Sequence, residues 1–369
     1  MKEAFDAHHL TNDGPIVRKL ERKLAQFHGT AHCVALANAG LGITMLMQLF
    51  ANGRKGEVIM PAFSFRGLPH FAQWAGQLPC FCDVDRTKHT LDANAVESAI
   101  SEQTTSILAV CNFNNPGDVE ALCSVARYHN VPIFLDSVYA VGSTYQGRIL
   151  GSFANAEVYS LHATKLLNGF EGGYITTDND DLAKKIRWQR NFAPPGSRPQ
   201  IADTEHVIGL NANLNEMHAA MAFLTIDKLN SIVARNYARY KAYQTGLAFV
   251  DGLTLVPYAE GERMNYQLVV MEVGSIWPLT RDQTVALLRA EGVAITGYYS
   301  SPLHLSEHCP TGMEVPTLPV AEELSEKFVQ LPVGELTKVE DIRRLCQLLS
   351  FIGECGPAVA EQLNQRGKL

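Results

Sequence analysis

Apolar residues recur along this 369-residue chain in two rhythms. Ile16, Val17, Leu20, Leu24 and Phe27 follow helical spacing from Pro15 towards Gly29. Thr11-Asn12-Asp13-Gly14 ahead of them offers side-chain oxygens for capping, and Pro15 fits a first helical turn. Short, nearly continuous apolar runs follow: Cys33 to Ala37, Glu57 to Pro61, Leu78 to Asp85, Ser106 to Cys111 and Val131 to Leu135. Helical stretches separate them: Ile43 to Phe50, a segment ending near Trp74, Leu91 to Ile100 with Asp92 near its start, and Val119 to His129. Strands apolar on both faces, alternating with helices, predict a large and mainly parallel sheet sandwiched by helices.

Further on, Asp181 to Arg190 reads as a helix. Its Lys184, Lys185, Arg187 and Arg190 read most simply as a solvated face. Asn191 to His206 has no periodicity, and a loop that long in a compact unit is more often functional or interface-forming than idle. Asn211 to Glu216 leads into a long helix to about Tyr243. Beyond it come strands at Tyr266 to Val273 and Thr296 to Tyr299, and helices at Arg281 to Glu291, Val320 to Phe328 and Val339 to Ile352. That predicts a smaller C-terminal α/β domain, so we expect one domain over residues 1–240 and a second over 241–369.

Composition narrows the function. A formal charge of −7 and a pI near 6.0 leave no basic footprint for nucleic acid. No apolar run is long enough to span a membrane, and Met1 to Asp6 lacks an apolar signal region. The eight cysteines are scattered, and Cys80-Phe81-Cys82 has the spacing of neither a zinc site nor a redox pair. Reduced, mostly buried thiols of a cytoplasmic protein without a metal are expected.

In sheets of the predicted kind, ligands sit at the C-terminal strand edges. Asn38, Phe65, Asn114, Asp136 and Lys165 all fall just after predicted strands. Asp136 closes Ile133-Phe134-Leu135. An acid there is ordinarily a helix cap or a surface residue. Lys165 follows Ser160-Leu161-His162-Ala163-Thr164 and is trailed by Glu171-Gly172-Gly173. Most lysines face solvent, yet few charges flank this one, and a lysine in an apolar pocket becomes nucleophilic. A carboxylate that keeps a pyridine nitrogen protonated, with a lysine that forms a Schiff base, is what pyridoxal phosphate (PLP) chemistry needs. Tyr139 could donate to the cofactor's phenolate oxygen, or be a packed aromatic. Ala39-Gly40-Leu41, between a strand and a helix start, is a candidate phosphate turn, though many such turns only let a helix pack closely.

Several stretches together resemble the DegT/StrS family of PLP-dependent sugar aminotransferases. They are Gly14-Pro15 with Leu20-Glu21, Glu57 to Phe65, Phe81 to Asp85, Leu135-Asp136, Tyr145 to Arg148 with Gly151-Ser152, Ser160 to Lys165, Glu171 to Gly173, Gly209 to Asn211 with Asn215-Glu216, and Pro302 to His304. Their order and spacing span nearly the whole chain. The resemblance implies the fold-type I aminotransferase architecture. It makes Lys165 the Schiff-base lysine and proton shuttle, and Asp136 the partner of the pyridine nitrogen. Phe65 becomes the aromatic stacked on the cofactor ring, and Ser160 and the Ala39-Gly40-Leu41 turn become the phosphate site. Asn211 would reach the phosphate of a neighbouring subunit, which implies a homodimer with shared active sites.

Three positions depart from the family pattern. Gly40 stands where a threonine is usual, Tyr139 where Gln or His is usual, and Asn213 where an arginine is often found. Tyr139 resembles instead the Asp-x-x-Tyr of the aspartate aminotransferase group. The expected reaction moves an amino group from an amino acid, glutamate or glutamine, to a keto-sugar or related cyclic ketone in sugar or antibiotic biosynthesis. The rival readings are a PLP-dependent sugar dehydratase, where family members known to use that chemistry carry histidine in place of the lysine, and a non-catalytic regulatory protein of the same fold.

Overall fold

The structure is a computed structural model that describes residues 5–365 except 7, 114, 308, 311 and 313. Asn114 and the first four residues therefore lie outside the described residues. Seven strands form the main sheet: β1 (His32–Leu36), β2 (Glu57–Pro61), β3 (Leu78–Cys82), β4 (Thr104–Val110), β5 (Ile133–Asp136), β8 (Ala156–Ser160) and β9 (Gly173–Thr177). Between β5 and β8 a two-stranded ribbon, β6 (Thr144–Tyr145) and β7 (Arg148–Ile149), stands apart. The sheet order is β1-β9-β8-β5-β4-β2-β3. The central pairs β3–β2–β4–β5–β8 are parallel, and β9 runs antiparallel to both β8 and β1. The mainly parallel sheet read from the apolar runs is thus present, with one edge reversed.

Period-two alternation decides what faces where. On β4, Ile107 and Ala109 join one core while Leu108 and Val110 join the other. On β5, Ile133 and Leu135 go with the first set and Phe134 with the second. Asp136 therefore shares the Phe134 face. On β8, Ala156 and Val158 lie on that same face, so Ser160 follows them. The helix Ala39–Ala51 covers it with Ile43, Leu46 and Met47. The functional face is the one under this helix.

The second sheet has strands β10 (Leu253–Leu255), β11 (Val269–Val273), β12 (Thr296–Gly297) and β13 (Phe328–Leu331), all paired antiparallel. Val269, Met271 and Val273 of β11 pack into its own core with Leu345 and Leu349 of the Val339–Gln365 helix. Leu268 and Val270 pack into the core of the main sheet. One face of the small sheet is thereby sealed against the large one.

Three sequence expectations are corrected here. The helix predicted to run unbroken to Tyr243 is two helices, Glu216–Ile226 and Leu229–Leu247, with a tight turn at Asp227-Lys228. The first lies on the N-terminal helix, and the turn lets the second reach the small sheet's core with Tyr240, Tyr243 and Leu247. The helix Pro15–His28 starts without a side-chain cap from Thr11 to Asp13. Its Ile16 and Val17 N–H groups donate instead to the Glu216 carboxylate at 2.9 and 2.8 Å. Arg190 is not on a solvated face. Its side chain is 3% exposed, pairs with Glu21 at 2.6 Å and Asp13 at 2.8 Å, and donates to the Ala35 carbonyl. A guanidinium can be buried because these acceptors satisfy its fork of donors. Among the described residues no helix is long and apolar enough to cross a membrane.

Candidate active site

The ends of three strands and one helix start meet around a cavity of about 520 Å³. Asp136 enters from β5, Ser160 from β8, and Ala39 and Gly40 from the first turn of the Ala39–Ala51 helix. Phe65 comes from the loop after β2, and Lys165, Thr164 and His162 from the loop after β8. That loop is pinned to the segment before β9: Leu161 N–H donates to Gly172, Ala163 to Phe170, and Gly169 to Leu161, each at 2.8 Å. Lys165 N–H closes a turn onto His162 at 2.9 Å. Side chains on such a tied loop are held towards the sheet edge rather than released to solvent.

Burial sets the electrostatics. Asp136 is 3% exposed, and its carboxylate accepts one backbone N–H, from Val138 at 3.1 Å. Burial pushes its pKa up to about 6, against smaller opposing effects of the Val138 N–H and the Lys165 charge. Burial likewise pulls Lys165 down to about 8, opposed by Asp136. The same opposition between burial and partner governs both, and burial wins in both. The Lys165 Nζ lies 3.3 Å from the centre of the Tyr139 ring, over its face. His162 Nδ1 accepts the Thr164 N–H at 3.2 Å and lies 2.8 Å from the Thr164 hydroxyl, with Glu171 Oε1 at 3.6 Å from Nε2.

These residues fit a bound pyridoxal phosphate. A buried carboxylate with a single N–H donor is suited to a cationic ring N–H. Asn38 caps its helix by accepting from Leu41 N–H at 2.8 Å, and Ala39 and Gly40 of the first turn, whose N–H groups have no partner within the helix, line the cavity. Helix N-termini bind phosphate through such groups. Ser160 lines the same cavity, and its hydroxyl accepts the His162 N–H at 3.2 Å.

Of the sequence candidates, Ala39, Gly40, Phe65, Asp136, Tyr139, Ser160 and Lys165 line this cavity, and Leu41 and Asn211 do not. The Leu41 N–H is taken by Asn38. Asn211 is exposed and bridges Asn191, while Asn213 donates to the Asn191 side chain at 3.0 Å. Sequence reasoning missed Phe71, Trp74 and Tyr299, which also line the cavity. It missed Asn265 and Gln267 as well. Asn265 donates to the Tyr139 and Val141 carbonyls at 2.8 and 3.0 Å, and Gln267 donates to the Thr164 carbonyl at 3.2 Å. The segment leading into β11 thus holds both the Tyr139 and Lys165 segments. Two polar side chains leading into an apolar strand were the available signal.

Gly40 has a structural cause. A Cβ there would lie 2.8 Å from Phe71 Cζ, so the aromatic ring fills the space a threonine would need. Replacing Gly40 by Thr should overpack this contact and weaken cofactor binding by roughly tenfold. Pairing it with Phe71→Leu should recover most of the loss. Equilibrium titration of cofactor-free protein reads both, and equal affinity in Gly40→Thr and wild type would refute the steric account.

The chain is similar to known proteins over most of its length. The sequence pattern of the DegT/DnrJ/EryC1/StrS aminotransferase family matches residues 1–350. A pleiotropic regulatory protein of Geobacillus stearothermophilus is 30% identical over 89% of this chain and 86% of its own. The dTDP-4-amino-4,6-dideoxy-D-glucose transaminase of Shigella dysenteriae is 27% identical over 89% of this chain and 92% of its own. The crystal structure of DesI with its TDP-sugar product superposes with a TM-score of 0.90 at 33% identity, covering 98% of this chain and 91% of that one. The chain belongs to the DegT/DnrJ/EryC1/StrS aminotransferase family, whose members work with pyridoxal phosphate.

Proposed function

We propose that this aminotransferase takes an amino group from an amino acid, glutamate or glutamine, and delivers it to a keto-sugar or related cyclic ketone. The observation that carries the reading is the pairing of buried Asp136 and Lys165 in one cavity with an open helix N-terminus. Support for a sugar acceptor comes from the Shigella transaminase and from DesI, which was crystallised with a TDP-sugar product. Ala39, Gly40 and Ser160 would hold the cofactor's phosphate, Phe65 would cover its ring, Asp136 would take its ring N–H, and Lys165 would carry it covalently. The bound cofactor supplies an electron sink for bonds at the carbon that bears nitrogen. Lys165 takes up and returns the proton at that carbon, a task suited to an amine held near pH 8. Asp136 keeps its charge beside the ring nitrogen once a cation offsets its burial.

Asn211 lies outside the cavity of its own subunit, and its segment continues from the exposed Phe192 and Ile208. This supports a homodimer in which Asn211 serves the partner's phosphate. The helix Leu229–Leu247 begins in the large core with Leu229 and ends in the small one with Tyr240, Tyr243 and Leu247, which supports placing the domain boundary near residue 240. All eight cysteines are free, which supports a cytoplasmic setting.

The regulatory name of the Geobacillus relative keeps a sensing role in view, and Lys165 argues against the dehydratase reading. A donor test separates them. Adding glutamate or glutamine to cofactor-loaded protein should bleach its visible band, and a panel of keto-sugars should restore it. Binding of cofactor with no bleaching by any amino acid would leave the regulatory reading and end the transaminase one.

A further inference from the structure

The sequence suggests Tyr139 as a hydroxyl donor, yet the structure presents its ring face to the Lys165 amine. Nζ stands 3.3 Å from the ring centre. The face of an aromatic ring is the negative end of its quadrupole and attracts a cation there. The Tyr139 backbone is fixed independently, because the buried Asn265 side chain clamps its carbonyl at 2.8 Å. Lys165 is fixed from the other side by the turn onto His162. Ring and amine are thus brought together by two separately anchored segments.

The charged and titratable groups around this amine are few. Asp136 faces it from β5, Tyr139 and Tyr299 line the same cavity, and His162 and Glu171 stand at its rim, engaged with each other and with Thr164. Asp136 is the obvious partner for a free ammonium, but the two form no ion pair; the carboxylate accepts from Val138 alone. A lysine drawn onto Asp136 would occupy the group needed at the cofactor's ring nitrogen. The ring face offers the ammonium another resting place at hydrogen-bonding range of nothing else in the site.

We infer that Tyr139 is a positioning residue whose ring face receives the Lys165 amine when that amine is protonated and not joined to the cofactor, and so keeps it off Asp136. The inference rests on the aminotransferase reading for its purpose, since the lysine is free of the cofactor during part of each half-reaction, but not for its geometry. It also gives the departure at position 139 a consequence of its own. A glutamine there has no aromatic face to offer.

The test uses cofactor-free full-length protein and trace labelling of amines across a pH series, with Lys165 followed by peptide mass spectrometry. Wild type and Tyr139→Phe should titrate alike at Lys165, because both keep the ring. Tyr139→Leu should titrate about one pH unit lower and label several-fold faster near neutral pH. A Tyr139→Leu value equal to or above wild type overturns the inference, as does Tyr139→Phe behaving like Tyr139→Leu, which would assign the effect to the hydroxyl. If wild-type Lys165 titrates as an ordinary surface lysine, the inference and the active-site reading fail together. If it titrates low in all three proteins, only the role of Tyr139 fails. Tyr139→Phe, which removes one oxygen from a half-buried ring, keeps the comparison available should Tyr139→Leu not fold.

Discussion

Lys165→Ala should fold, bind pyridoxal phosphate without a covalent link, and lose transamination by roughly 10⁴-fold. The size of the loss follows from two roles vested in one amine. It carries the cofactor, and it moves the proton at the substrate carbon. The fold should survive, because Lys165 lies half-buried on a loop whose ties run through the backbone of Leu161, Ala163 and Gly169 rather than through the side chain. Borohydride reduction of the cofactor-loaded protein separates the outcomes. Wild type should yield one peptide, containing Lys165, heavier by the reduced cofactor, and the variant should yield none. Small primary amines added to the variant should return part of the proton-transfer rate. A modified peptide elsewhere in the wild type, or an undiminished donor half-reaction in the variant, would remove Lys165 from its assigned role.

How legible the fold was depends on which strand is considered. Strands β2, β4 and β5 are buried on both faces, so their apolar runs are continuous and β2 was bounded to the residue. The small sheet was read less well. β12 has two residues, β10 has three, and β13 follows directly on the helix Pro319–Lys327, so its first residue was read as helix. The Asp136 and Lys165 positions were legible because each closes or follows such a run. The support around them was not. Glu216 caps a helix 200 residues away in sequence, Arg190 pairs with Glu21 across 169 residues, and Asn265 reaches Tyr139 across 126. A single sequence carries no trace of contacts that distant, and propensity alone reads Arg190 as solvent-facing. The direction of the Tyr139 side chain was also out of reach. Spacing placed the residue three positions beyond Asp136, but whether its edge or its face meets the lysine depends on the Asn265 clamp.

Asp136→Asn should split activity from stability. In the cofactor-free fold the Asp136 pKa is raised to about 6, above its ordinary value of 3.8, because burial disfavours the charged form. The folded state therefore holds that proton more tightly than the unfolded chain. The corresponding stability is complete below about pH 4 and is lost as pH rises through 6. Above that, ionised Asp136 costs the empty protein on the order of 3 kcal/mol. An asparagine carries no such charge. The cofactor-free variant should accordingly be the more stable protein at pH 8, match wild type near pH 4, and lack the decline between them. Urea unfolding at the two pH values measures this. With cofactor present the ranking should reverse. The variant cannot hold the ring nitrogen protonated, so the donor half-reaction should slow by roughly 10³-fold and cofactor binding should weaken. A variant that is less stable than wild type when empty at pH 8 would show that the Asp136 carboxylate is a structural anchor in the apo fold. A variant that transaminates at the wild-type rate would show that the ring nitrogen is served by another group. The joint outcome, gain when empty and loss when loaded, is what a carboxylate kept dry for a cationic partner requires.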